Sequence, residues 1–175
     1  MDAKPLSIGK ILSEKQRFVV PVYQRTYAWT VKDQLSTFFD QVKEKSETRL
    51  KHNPRTFSHY MGALIVIPEG DAVFGRTQAY NVVDGQQRLT TFHLFYAALR
   101  DIARQHELSQ IAGQLYELLI IPDQVATGTS LGERYKLEPT KRDQQLTHDL
   151  GHRLIMAQPE MNSSQLEHGE EVGGV

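Results

Sequence analysis

Cysteine is absent from the 175 residues, and with it every disulfide, thiolate nucleophile and thiolate metal site. That absence fits a reducing cytoplasm, which is the expected location. No apolar run approaches the roughly 20 residues that span a bilayer. The opening M-D-A-K-P-L-S-I-G has no apolar signal core. Without a secretory route, the acceptor pattern Asn162-Ser163-Ser164 carries no meaning. No G-x-x-x-x-G-K-[ST] loop is present, so the chain is not a P-loop enzyme. No internal repeat is visible.

The length allows one domain with its own core. Hydrophobic residues make up 39% and charged residues 23%, a globular rather than a disordered composition. The net charge of −1 conceals an uneven layout. Residues 1–60 carry 11 Lys and Arg against 6 Asp and Glu, residues 61–120 carry 4 against 6, and residues 121–175 carry 5 against 9. A basic first third suits a nucleic-acid face or an ordinary solvated surface.

Leu6, Ile8, Ile11 and Leu12 predict a short opening helix with Ser7 as its N-cap. Phe18 to Val20 suit a strand, with Pro21 at its edge or end. Thr30 reads as the N-cap of a helix to about Glu47, carried by Val31, Leu35, Phe38, Phe39 and Val42. Tyr60–Ile67 and Gln78–Val83 read as strands close enough in sequence to pair antiparallel. From Leu89 the period turns helical: Leu89, Phe92, Tyr96, Leu99 and Ile102 share a face, and the helix runs to about Gln105. A second helix is expected over Ser109–Ile120, a short strand over Arg134–Glu138 and a last helix around Lys141–Met156. The expected class is α/β (α+β), a small mixed sheet flanked by helices. It occupies residues 1–157, and 158–175 form a polar tail that reads as a frayed end or a truncation point.

One segment points to chemistry: Y-N-V-V-D-G-Q-Q-R-L-T-T, residues 80–91. A β-branched run meets a polar turn, and a helical pattern follows. A type I′ hairpin at Asp84-Gly85 would need a strand next, and the helical period argues against one. Asp84 and Gln87 have the spacing of a capping box. Capping does not explain Arg88, a cation near the positive end of the helix, where it costs about 0.3–1 kcal/mol. An anion between the helix end and the guanidinium offsets that cost, and phosphate is its most natural identity.

A second constellation is Tyr23-Gln24-Arg25-Thr26-Tyr27-Ala28-Trp29. Aromatic rings stack on exposed bases, Gln reads base edges and Arg holds phosphate. The same Tyr and Trp residues also suit a core edge. His148 and His152 have the i, i+4 spacing of a metal pair, but no third ligand is evident and a solvated face explains them. His52 and His59 flank a basic loop, where surface placement is the default. His93 lies beside the apolar face of the long helix, as a satisfied or rim histidine or within reach of a ligand at the cap. Thr140 and Asp143 suit a helix start, while Lys141 or Arg142 is placed to close over phosphate from a neighbouring element.

Y-Q-R-x-Y-x-W at 23–29, G-A-L-I-V-I at 62–67, V-V-D-G-Q-Q-R-L-T-T at 82–91 and K-L-E-P-T-K-R-D at 136–143 together resemble the N-terminal domain of the GmrSD-type restriction proteins. The likeness covers roughly residues 5–150. It implies the ParB/sulfiredoxin-like superfamily, in which the G-x-x-R turn binds nucleotide phosphates, here Gly85 and Arg88. It also implies that Asp84 to Arg88 form a site for nucleoside triphosphate hydrolysis supporting DNA restriction. The nucleotide is GTP, ATP or another. Sulfiredoxin chemistry itself needs a cysteine and is excluded.

A division of labour follows. Gly85 lets the backbone approach the phosphates. Arg88 holds phosphate oxygens, with Arg25 as a second candidate. Asp84 ligates Mg²⁺ or orients a water, and Gln86 or Gln87 positions the attacking water. Tyr23, Gln24, Arg25, Tyr27 and Trp29 are the candidate DNA contacts. The family architecture adds a C-terminal HNH-type nuclease, as a further domain or a partner subunit, and no H-N-H arrangement is visible here. The expected function is nucleotide binding and hydrolysis in antiviral defence against modified DNA. The alternative is a non-catalytic module that recognises modified DNA.

Overall fold

The computed structural model describes residues 3–51, 59–71, 77–121 and 134–143. Helix α1 (Ile8–Ser13) starts at Ser7, whose hydroxyl accepts from the Lys10 N–H at 3.2 Å, the expected N-cap. Strand β1 (Gln16–Val19) ends against Pro21. A π-helical turn (Val31–Leu35) opens α2 (Ser36–Lys51). Thr30 stands at the start of that turn but caps no N–H; its hydroxyl donates to Asp33 Oδ2 at 2.6 Å instead. Strands β2 (Ile65–Pro68) and β3 (Gln78–Asp84) follow, then α3 (Gln86–Gln105), α4 (Ser109–Glu117) and β4 (Leu137–Glu138).

The four strands form one mixed sheet in the order β2-β3-β1-β4. Strand β2 pairs antiparallel to β3, as its closeness in sequence suggests. Strand β1 runs parallel to both β3 and β4. The mixed α/β class is therefore the one the periodicities predict. Several bounds differ. Strand β2 begins at Ile65 rather than Tyr60, because Gly62 turns to φ +99° and breaks the extended run. Strand β4 is confined to Leu137–Glu138, and α4 stops at Glu117. The expected helix around 141–156 lies outside the described residues beyond Asp143, as do His52, His148, His152 and the tail.

The main core joins α1, the sheet and α3 through Leu12, Phe18, Val20, Val82, Leu89 and Leu137. Helix α2 packs on α3 through rings: Phe38 meets Phe92 and Phe95 edge-on, at centroid distances of 5.3 and 5.6 Å. Edge-to-face pairs of this kind add about 0.5–1.5 kcal/mol beyond their area burial. Lys136 has its ammonium buried, donating to the carbonyls of Leu12 and Glu117. Those carbonyls lie at the C-terminal ends of α1 and α4, where a cation satisfies orphan acceptors and opposes the dipole. Burial lowers the Lys136 pKa, with Glu117 acting in the other direction.

On α3, the buried residues are Gln86, Gln87, Leu89, Thr90, Thr91, His93, Ala97, Arg100 and Ala103. The face expected from apolar spacing is only half-buried past Leu89, and Ile102 is exposed. Arg100 is buried beside Asp101, to which its Nε donates at 3.0 Å. His93 is buried too; desolvation first, and then the Lys136 charge, lower its pKa to about 4. It is an interior histidine rather than a rim one. Among the described residues no helix is long and apolar enough to cross a membrane.

Candidate functional site

The topology gathers the four sequence motifs at one edge of the sheet. Strands β1, β3 and β4 are parallel neighbours, so their C-terminal ends lie together. Out of them run, respectively, the segment 21–29, the turn Asp84–Arg88 and the residues Pro139–Asp143. Strand β2 is antiparallel, so its beginning, preceded by Gly62-Ala63-Leu64, falls at the same edge. Ligands of open α/β sheets bind outside the carboxyl ends of the strands.

At the turn, Gly85 takes the N-cap position of α3 with φ +94°. Only glycine enters this region readily. Space demands it as well, since a Cβ at Gly85 would lie 2.9 Å from the Ala63 carbonyl oxygen. Asp84 is therefore one residue outside the cap, and the capping box expected of Asp84 and Gln87 does not form. No side chain caps α3. Leu89 is the first residue to bond back, to the Gly85 carbonyl at 2.9 Å. The N–H groups of Gln86, Gln87 and Arg88 have no intrahelical acceptor, the normal condition of a first turn.

Arg88 is half-exposed and folds back over Gly62. Its Nη2 donates to the Ala63 carbonyl at 2.5 Å and to Asp84 Oδ2 at 3.2 Å. A Cβ on Gly62 would stand 3.1 Å from the guanidinium carbon. The exposed i, i+4 pair with Asp84 is worth about 0–1 kcal/mol. The guanidinium thus has one short bond to a neutral carbonyl and one exposed carboxylate partner, and its side chain stays about one-third exposed, 33%.

Gln86 and Gln87 are buried, and both amides hold backbone of the preceding segment. Gln86 Nε2 donates to the Arg25 carbonyl at 2.9 Å. Gln87 Nε2 donates to the Thr26 carbonyl at 3.0 Å, and its Oε1 accepts the Ala28 N–H at 2.9 Å. The amide groups expected to position a water tie the segment 25–28 to the turn. Gln24 Nε2 adds a bond to the Val83 carbonyl at 2.9 Å.

Tyr27 completes the clamp. Its N–H donates to Asp143 Oδ2 at 3.0 Å, and its hydroxyl lies 2.9 Å from Thr91 Oγ1. Thr91 Oγ1 spends its proton on the Gln87 carbonyl at 2.8 Å, so the phenol is the donor in that pair. Burial raises the phenol pKa, and the Thr91 contact opposes that. Thr140 Oγ1 in turn donates to Asp143 Oδ2 at 2.8 Å, and the Asp143 N–H reaches the Thr140 carbonyl at 2.9 Å, which closes a turn over 140–143. Tyr23 and Arg25 point outward and are exposed, and Trp29 is half-buried. Lys141 and Arg142 are exposed as well.

Three contributors escaped the sequence reading: Gly62, the Ala63 carbonyl, and Asp143 as an acceptor for Tyr27. A glycine ahead of a β-branched run was the available signal for the first. For Asp143 there was none, because its partner is 116 positions away. Among the described residues no three His, Cys, Asp or Glu side chains gather as a metal cluster. Asp84 is the carboxylate at the turn, and it is exposed.

In comparison with known proteins, the family described as the GmrSD restriction endonuclease, N-terminal domain, matches residues 8–170. No curated protein matches the chain.

Proposed function

Because the chain belongs to the GmrSD restriction endonuclease N-terminal domain family, and so to a restriction system, we propose that its D-G-Q-Q-R turn binds the phosphates of a nucleoside triphosphate and supports hydrolysis. One observation carries the reading: the uncapped N-terminus of a 20-residue helix lies beside the half-exposed guanidinium of Arg88. Free N–H groups, the positive dipole end and a guanidinium fork are complementary to phosphate oxygens.

Each residue has a role in this reading. Arg88 leaves Asp84 and the Ala63 carbonyl for the phosphate oxygens, which frees the Asp84 carboxylate. Asp84 then orients the attacking water or holds Mg²⁺, which when bound would neutralise phosphate charge. Gln86 and Gln87 act as positioning residues that hold Arg25 near the turn, so that its exposed guanidinium serves as a second cation. Turnover would couple to a nuclease domain or partner that cuts DNA, with modified DNA as the target.

The test is phosphate release in the presence of Mg²⁺, by the chain joined to its nuclease part, for wild type and Asp84→Asn. Asp84→Asn keeps the fold, since Asp84 caps nothing, and turnover should fall by about tenfold or more, within the usual range for a lost acid–base or positioning group. Undiminished release in that variant removes Asp84 from the chemistry.

A second reading is favoured by the outward display of Tyr23, 74% exposed, beside exposed Arg25. There the segment contacts DNA while its other side chains anchor it to the turn.

A further inference from the structure

Next to the turn lies a cleft of about 450 Å³ that the phosphate site does not use. Trp29, Phe38 and Met61 give it apolar walls, and Asp33, Gln34 and Gln41 line it with polar groups. Its volume falls within the range of small-molecule sites, which combine apolar walls with a few polar groups that fix orientation. Two walls adjoin residues that touch the D-G-Q-Q-R turn. Trp29 follows Ala28, whose N–H is held by Gln87 at 2.9 Å. Met61 precedes Gly62, on which the Arg88 guanidinium lies. Two of the cleft's lining residues are thus each one position along the chain from a residue that touches the turn.

The polar groups carry both donors and acceptors. Gln34 Oε1 accepts the Thr30 N–H at 3.3 Å, which leaves the amide NH₂ to donate. Asp33 Oδ2 is taken by Thr30, and its other oxygen remains an acceptor. Gln41 offers both. The helix that presents them opens with a π-type turn, in which the Leu35 N–H reaches the Thr30 carbonyl at 3.1 Å. Such turns are frequent at functional sites. A flat aromatic ring with hydrogen-bonding edges fits this combination: the faces of Trp29 and Met61 take the ring, and the glutamine amides take its edge.

We infer that the cleft between Trp29 and Met61 receives the nucleobase of the nucleotide whose phosphates sit at Arg88. This inference rests on the phosphate reading and adds to it the seat of base preference. The base of a DNA strand has the same chemistry. The chain adjacency of Trp29 and Met61 to residues that touch the turn favours the mononucleotide.

Trp29 is the chain's single tryptophan, so its fluorescence reports on the cleft directly. The 175-residue chain is titrated with four ribonucleoside triphosphates, with inorganic tripolyphosphate as a base-free probe, and with a single-stranded oligodeoxynucleotide. At least one nucleoside triphosphate should change Trp29 emission and bind more tightly than tripolyphosphate. Trp29→Ala should cost that nucleotide about 5- to 150-fold, the span of base–aromatic stacking, and leave tripolyphosphate affinity unchanged. Trp29→Phe, followed by calorimetry, should restore most of the loss. Gln41→Ala, which keeps every apolar wall, should reorder the four nucleotides without affecting tripolyphosphate.

Equal affinities for tripolyphosphate and all four nucleotides, with silent emission, overturn the cleft assignment while the phosphate site stands. Equal weakening of tripolyphosphate in Trp29→Ala assigns Trp29 a purely structural role and also overturns it. An emission change with the oligodeoxynucleotide alone shows that the cleft takes a base from DNA, against the inference. If tripolyphosphate and nucleotides both fail to bind, the phosphate reading falls and this inference falls with it.

Discussion

Arg88 lies across Gly62 so closely that a methyl group on the glycine would meet the guanidinium carbon at 3.1 Å. Gly62 also holds φ +99°, a conformation that side-chain-bearing residues resist. The two facts couple the lead-in to an edge strand to the charge at the helix start.

Gly62→Ala should therefore act twice. Strain at a positive φ should lower stability by at least about 1 kcal/mol. Displacement of Arg88 should also weaken triphosphate binding at temperatures where the variant is fully folded. Thermal unfolding and calorimetry on the same sample read the two effects. A purely structural glycine would show the first alone.

Gln87 bridges two backbone groups, so its loss leaves the Thr26 carbonyl and the Ala28 N–H without their partner. Gln87→Leu should destabilise the fold by about 1–3 kcal/mol. Gln87→Glu keeps the acceptor for Ala28 but sets a buried carboxylate against the Thr26 carbonyl, and should also destabilise the fold at neutral pH. Urea unfolding measures both. Equal stability of all three would contradict the clamp.

His93 makes stability depend on pH. Its folded pKa is about 4, set mainly by burial, against an ordinary value near 6.5 in the unfolded chain. Between these values the unfolded chain binds a proton that the folded chain refuses. The contribution is thus complete above about pH 6.5 and lost as pH falls toward 4, with a slope approaching about 1.4 kcal/mol per pH unit. Unfolding midpoints from pH 7 to 4.5 should show the slope, and His93→Gln should flatten it. An unchanged slope in the variant would place the titration elsewhere.

Much of this architecture was legible in the chain, and the rest was hidden for identifiable reasons. The strand–turn–helix at Val82–Leu89 showed because the period changes there from two to 3.6. Ser7 showed because its hydroxyl works locally. The buried face of α3 did not, because its interior residues are small or polar, such as Thr90, Ala97 and Arg100, while its large rings pack at half-buried positions against Phe38 and Phe39. The bounds of β2 were missed because one backbone turn, at Gly62, outweighs the β-propensity of the residues after it. The gathering of four motifs at one sheet edge depends on parallel pairing between strands far apart in sequence, which local patterns do not encode. The backbone bonds of Gln86 and Gln87 were hidden similarly, because their partners lie about 60 positions away in the chain.

Arg25 separates the two readings of the segment 23–29. Its carbonyl is fixed by Gln86 while its side chain is exposed. As a second phosphate ligand, its replacement in Arg25→Ala should weaken triphosphate binding and leave intrinsic DNA affinity alone. As a DNA contact, it should instead reduce the salt slope of DNA binding by about 1, similarly for all sequences. We expect the first outcome. Measuring both affinities on one variant decides, and no change in either would leave the segment a packing element.

The central claim, a phosphate site at the start of α3, meets its most direct test in calorimetry of triphosphate binding to the wild-type chain and to Arg88→Ala and Arg88→Lys. Charge-assisted hydrogen bonds of this kind contribute about 1.5–3 kcal/mol, so Arg88→Ala should bind about tenfold or more weakly. Arg88→Lys should recover part of the loss, keeping the charge without the fork. Arg88→Ala forfeits the bond to the Ala63 carbonyl as well as the exposed pair with Asp84, so affinities are compared at temperatures where each variant is fully folded. Unchanged affinity in a folded Arg88→Ala would contradict the assignment.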